Sequence, residues 1–232
     1  MILMNYETDK KPDIFALRKQ IASCLPDTSQ DCAFQEVFTR HPASGLAFSI
    51  AKLERKKTGS LLLWVQEERA IKQQGRPFIH GLPPSLQHSI IHVTAASAKD
   101  ALWAMEEGLR CPSLLGVIGE ITGDPAVLDF TASRRLAVAC ERHGVPAFLI
   151  RFNGTPNLSG ARERWRVRSA SSYQHHWNSR AAGTAVLSAQ LFRSRSAAPG
   201  AWNFSYDGTT NRLDLVPDAG NGALDKSTAS AG

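Results

Sequence analysis

Long hydrophobic runs are missing from this sequence. The clean ones, such as Leu61-Leu62-Leu63-Trp64-Val65, fall far short of the roughly 20 apolar residues that span a bilayer, so no membrane contact is expected. The start, Met1 to Glu7, has no basic region followed by an apolar stretch, which predicts no signal peptide and a cytoplasmic protein. Cysteine is scarce: Cys24, Cys32, Cys111 and Cys140 form no C-x-x-C and lie in or beside apolar stretches. They read as small buried hydrophobes, which excludes a disulfide framework. Only His175-His176 are adjacent among the seven histidines, so ligand spacing for zinc is lacking. There is no G-x-S-x-G and no serine or cysteine paired with a histidine, which leaves nucleophilic hydrolysis without its parts.

What is present is an ordinary globular composition. The 232 residues are 43% hydrophobic and 21% charged, enough for one large domain or two small ones with a sizeable core. The net charge of +6 is unevenly spread. Residues 61–150 are almost neutral, whereas residues 151–216 carry nine arginines, no lysine and three acids. A basic C-terminal third beside a neutral core points to an anionic partner, nucleic acid or an acidic protein surface.

Residues 1–12 read as a loose start and 13–24 as an amphipathic helix, with Ile14, Leu17, Ile21 and Cys24 on one face. Phe34 to Phe38 reads as a strand and 45–57 as a helix with a basic end. Three further apolar runs, 61–65, 89–93 and 114–118, predict strands covered on both faces. Ser97 and Asp129 are placed to cap helices, Gly144 to stop the second, and Ala147 to Ile150 follows as another strand. Strand and helix alternation of this kind predicts right-handed crossovers and a largely parallel sheet. Beyond Arg151 the pattern changes to short strands at 165–169, 189–195, 202–206 and 212–216, the last two joined by a turn at Asp207-Gly208. Residues 217–232 are small and polar and are expected to be disordered.

The turn after the first strand is where an α/β protein would hold a nucleotide phosphate. A phosphate loop needs G-x-x-x-x-G-K-[ST], but here Ser44-Gly45 is followed by Leu46-Ala47. Without the lysine and hydroxyl, tight magnesium-nucleotide binding is not expected, and no cofactor is. Glu67 and Glu68 follow one buried strand and Glu120 another, positions where an NTPase keeps its acids; without a phosphate cradle these acids have nothing to act on. The strongest local feature is Arg162-Glu163-Arg164-Trp165-Arg166-Val167-Arg168. As a strand it would set Arg162, Arg164, Arg166 and Arg168 on one face at about 6.6 Å intervals, twice the rise per residue. Such a row suits phosphates or an acidic protein surface.

These segments together resemble the ImuA family of RecA-like SOS mutagenesis proteins. The matching stretches are Leu62-Leu63-Trp64-Val65, Val117 to Ile121, Leu128 to Leu136, Gly144-Val145-Pro146-Ala147, Arg164-Trp165-Arg166-Val167, Leu191-Phe192-Arg193-Ser194-Arg195 and Pro199 to Trp202. The resemblance implies an α/β fold, a shortened RecA-like core over 13–152 with helices on both faces of a largely parallel sheet. An Arg-rich extension of antiparallel strands over 153–216 completes it. It implies a non-catalytic adaptor in translesion synthesis, acting with ImuB, an error-prone polymerase subunit and RecA. The adaptor would join the nucleoid upon damage, with DNA contact through the Arg-rich region. Arg162, Arg164, Arg166, Arg168, Arg193 and Arg195 are then the candidate partner- or DNA-binding residues. Glu68 and Glu120 become remnants of the RecA nucleotide site. Cell-division inhibitors of the SulA type share the shortened architecture and form the alternative, and a nucleotide-dependent recombinase is a third reading.

Overall fold

The structure is a computed structural model that describes residues 33–53, 61–173, 177–178, 180–181 and 183–216. The expected helix at 13–24, the basic end of the helix at 54–57, Cys24, Cys32, His175-His176 and the terminal segments 1–12 and 217–232 lie outside them. The elements run β1 (Phe34–Thr39), α1 (Pro42–Leu53), β2 (Leu61–Glu67), α2 (Glu68–Gln74), a 3-10 turn (Ile79–Gly81), β3 (Ile90–Ala95), α3 (Ala98–Leu109), β4 (Leu114–Thr122), α4 (Phe130–His143), β5 (Ala147–Phe152), β6 (Glu163–Ala170), β7 (Ala185–Ser194), β8 (Gly200–Asp207) and β9 (Arg212–Val216). The nine strands of the described residues form one mixed sheet in the order β3-β2-β4-β5-β1-β6-β7-β8-β9. Pairing is parallel from β3 through β6 and antiparallel from β6 to β9.

Helices cover the two faces separately. On one side Met105 and Leu109 of α3 and Leu136, Ala137 and Cys140 of α4 pack on Leu63, Val65, Val117 and Leu149. On the other, Phe48, Ile50, Ala51 and Leu53 of α1 pack on Trp64, Ile118, Ile150, Trp165 and Leu187. The central strands are buried on both faces, which explains why they read as unbroken apolar runs. The helix ends follow local chemistry. Ser97 Oγ accepts the Asp100 N–H at 3.2 Å and Asp129 Oδ1 accepts that of Ala132 at 2.7 Å. Gly144, at φ 68°, ends α4 with its N–H on the Cys140 carbonyl. No helix of the described residues is long and apolar enough to cross a membrane.

Four expectations need correction. The run at 89–93 is not covered on both faces: β3 lies at the edge of the sheet beside β2, with Ile91 exposed. Cys111 is exposed where a buried hydrophobe was expected, because α3 ends at Leu109 and leaves it in the following turn; Cys140 is buried as expected. The last hairpin does not reverse at Asp207-Gly208. Asp207 is the last residue of β8, opposite Arg212, and the chain turns over residues 208–211 with Asn211 at φ 48°. The Asp207 carboxylate organises that loop by accepting from the Thr209 N–H and the Thr210 hydroxyl. The helix expected at 45–57 starts earlier, at Pro42, since proline at a helix's first turn costs no hydrogen bond.

Candidate functional site

In an open α/β sheet the chain leaves neighbouring strands in opposite directions at one point, and the crevice outside the strand ends there is the favoured ligand site. Here β1 leads away towards β2 while β5 leads past β1 to β6. Residues 38–41, 153–156 and 166–169 meet at the carboxyl ends of these three strands and line a cleft of about 790 Å³.

One wall is fixed from below. The Asp124 carboxylate accepts from the Thr155 N–H and hydroxyl and from Arg151 Nη2. Burial pushes that carboxyl up, but the Thr155 bonds and the Arg151 charge outweigh it and hold it below its ordinary range. Arg151 is fully buried, a position the sequence reading did not single out. Its guanidinium lies 3.7 Å from Glu36 Oε1, while Arg164 Nε donates to Glu36 Oε2 at 2.7 Å. Glu36 at 1% exposure and Arg164 at 3% are as enclosed as their apolar neighbours. Aromatic rings alternate with these cations. Arg151 and Arg164 stand 5.4 and 5.2 Å from the Phe38 ring, and Arg164 and Arg166 stand 5.4 and 4.4 Å from the Phe192 ring.

The expected arginine row is therefore divided. Pairing shifts from Arg164–Arg193 to Trp165–Leu191, so Phe192 is an extra residue on β7 that bulges against Arg164 and Arg166. Alternation along β6 holds: Trp165 and Val167 enter the core beneath α1, and the arginines take the other face. Of the arginines on β6, only Arg166 and Arg168 reach solvent. Arg164 is consumed by Glu36, and Arg162, just before the strand, pairs with Glu141 of α4 and holds that carboxyl below its usual range. Arg193 and Arg195 are exposed. Glu163, on the core side, is enclosed and pairs with Lys52 at 3.0 Å while accepting from Trp165 Nε1.

The two acids that the resemblance assigns to a nucleotide site have different surroundings. Glu68 is exposed in the first turn of α2 and pairs with Lys72 at 3.2 Å. Its neighbour Glu67 is the one that reaches β4, accepting the Thr122 N–H at 3.1 Å. Glu120 is buried on β4, where its two oxygens accept from Trp64 Nε1 at 2.7 Å and Gln66 Nε2 at 3.0 Å. Burial pushes its carboxyl up, because the two neutral donors offset only part of the desolvation. Gln66 Oε1 in turn meets His92 Nε2 at 2.8 Å, and burial, followed by the Arg76 charge, lowers His92. This chain of amide, indole and imidazole uses both carboxylate oxygens of Glu120.

No family model and no curated protein matches the chain. Among solved structures, SulA from Pseudomonas aeruginosa is similar at 17% identity and a TM-score of 0.36, over 51% of this chain and 97% of its own. That likeness is too slight to carry function or partners across.

Proposed function

We propose that this chain is a non-catalytic adaptor in SOS-induced, error-prone translesion synthesis, docking on ImuB and RecA beside an error-prone polymerase subunit. The family resemblance supplies the pathway and the partners. The observation that supports the non-catalytic part is the junction of β1 and α1. Only Arg40 and His41 separate Thr39 from Pro42. A phosphate cradle wraps several glycine-rich residues round the anion before its helix starts. Here the Thr39 hydroxyl folds the turn onto itself, accepting the His41 N–H at 3.0 Å and donating to the His41 carbonyl at 2.8 Å. Pro42 opens α1 with no N–H to offer a phosphate.

The test is a deletion strain. Damage-induced mutation frequency should fall to the uninduced level with division of undamaged cells normal, and the purified chain should retain ImuB and RecA in a pull-down. Filamentation on overexpression, with mutagenesis unchanged by deletion, would replace this reading with a SulA-type inhibitor. ATP-driven strand exchange by the purified chain would replace it with a recombinase.

A further inference from the structure

We propose that the exposed arginines of β6 and β7, with the cleft at the carboxyl ends of β1, β5 and β6, bind a single strand of nucleic acid through its phosphodiester backbone. The inference stands on charge and shape and does not need the adaptor reading; it adds a direct nucleic-acid ligand to it.

Residues paired across neighbouring strands face the same side. Arg193 opposes Arg164 and Arg166 opposes Gln190, and Arg195 lies close enough to Glu141 of α4 to influence its charge. Arg195, Arg193, Arg166 and Arg168 therefore share one exposed face. Arg195 is paired to Arg162 through its N–H, so the track to Arg168 covers six residues of β-chain, roughly 20 Å. It runs into the cleft, where Arg40 adds a further exposed cation and no carboxylate lines the wall. Arg40, Arg168 and Arg193 make no ion pair among the described residues, so their charge is uncompensated. Guanidinium groups are fitted to phosphate oxygens, which they meet with two parallel N–H donors.

The floor of the cleft adds a second observation. Arg151 Nε and Nη1 and Arg164 Nη2 are buried without a hydrogen-bond partner. Gly154, which lines the cleft, lies directly over Arg151: a Cβ there would come within 3.1 Å of its Nε. Glycine thus leaves N–H donors of Arg151, whose charge is paired with Glu36 and Asp124, thinly covered beneath a basic crevice.

Shape and composition select the occupant. A cleft of about 790 Å³ has the size that encloses one small organic unit, which a single strand can supply and a base-paired duplex cannot without extruding a base. A docked protein would need an apolar centre to its interface. Beside the arginines this face offers Gln190, Ser188, Asn203 and Ser205, with Phe192 already stacked between Arg164 and Arg166.

The full chain should be titrated against a fluorescent oligothymidylate over a series of salt concentrations, reading anisotropy. Binding is expected at low salt. Arg166→Gln with Arg168→Gln should flatten the logarithmic salt dependence by about 1.4, some 0.7 for each lost phosphate contact. Arg168→Gln alone, whose arginine makes no side-chain hydrogen bond or ion pair among the described residues, should flatten it by about half as much and guards against misfolding of the pair. Arg212→Gln on β9, where the arginine is paired with Asp214, should leave it unchanged. Absent binding, an unaltered slope in the variants, equal affinity for the duplex, or equally effective competition by polyglutamate would each overturn the proposal. ImuB capture retained in that event would leave the adaptor reading standing, whereas oligonucleotide binding without ImuB or RecA capture would do the reverse.

Discussion

Arg164 Nε donates to Glu36 Oε2 at 2.7 Å, joining residues 128 positions apart in the chain. The pair fastens β6 to β1, its parallel neighbour, and so ties the arginine-rich strands to the helix-covered part of the sheet. Arg151 of β5 approaches the other oxygen of the same carboxylate. One buried acid thus holds cations from two strands on either side of its own.

Glu36→Gln should destabilise the fold by about 3–5 kcal/mol, since it strands the enclosed Arg164 guanidinium without its counter-charge and leaves Arg151 with Asp124 alone. Urea unfolding followed by circular dichroism measures this as a fall in midpoint. Combined with Arg164→Met, the loss should be clearly less than the sum of the single losses, because the two residues share one interaction. Additive losses would show that the carboxylate and the guanidinium do not depend on each other.

Glu120→Gln should change how stability varies with pH. Burial raises the folded-state pKa of Glu120, so above the ordinary carboxylate range the unfolded chain releases this proton before the folded chain does. The folded state then binds more protons, and this group's contribution to stability falls as pH rises until the folded pKa is passed. The neutral variant lacks that fall. Thermal melts from pH 5 to 8 should therefore show the variant gaining on the natural chain as pH increases; a constant offset would mean that Glu120 titrates normally.

Gly160→Ala should be costly despite its small size. The added methyl would sit 2.6 Å from Cα and 2.8 Å from N of Arg134, both backbone atoms of α4 that cannot turn away. Gly160 N–H also donates to Ser133 Oγ at 2.9 Å, so moving the loop breaks a buried bond. A loss of about 1–3 kcal/mol is expected from overpacking alone. Gly75→Ala is the comparison: it meets no atom within 4 Å, though its φ of 80° adds backbone strain of roughly 1 kcal/mol.

Much of the core was legible from local pattern, and the site was not, for physical reasons. Strands β2, β4 and β5 announced themselves because burial on both faces demands unbroken apolar runs. The Ser97 and Asp129 caps were legible because a side-chain oxygen three residues before an N–H closes the same ring wherever it occurs. Alternation correctly set Trp165 and Val167 apart from the arginines, but it is blind to what covers each face. Arg164 and Arg151 are enclosed because Glu36 waits on a strand that neither precedes nor follows theirs, a match that no local window contains. The bulge at Phe192 was hidden too, since it exists only relative to the partner strand. Helix α2 escaped notice because seven residues with one buried alanine carry no periodic stripe.

Calorimetric titration with magnesium-ATP tests the non-catalytic account most directly. A two-residue β1–α1 junction opening on Pro42 predicts no heat of binding in the micromolar range and no phosphate release, with Glu68→Ala and the natural chain behaving alike. Saturable magnesium-dependent binding, followed by turnover that disappears in Glu68→Ala, would contradict it.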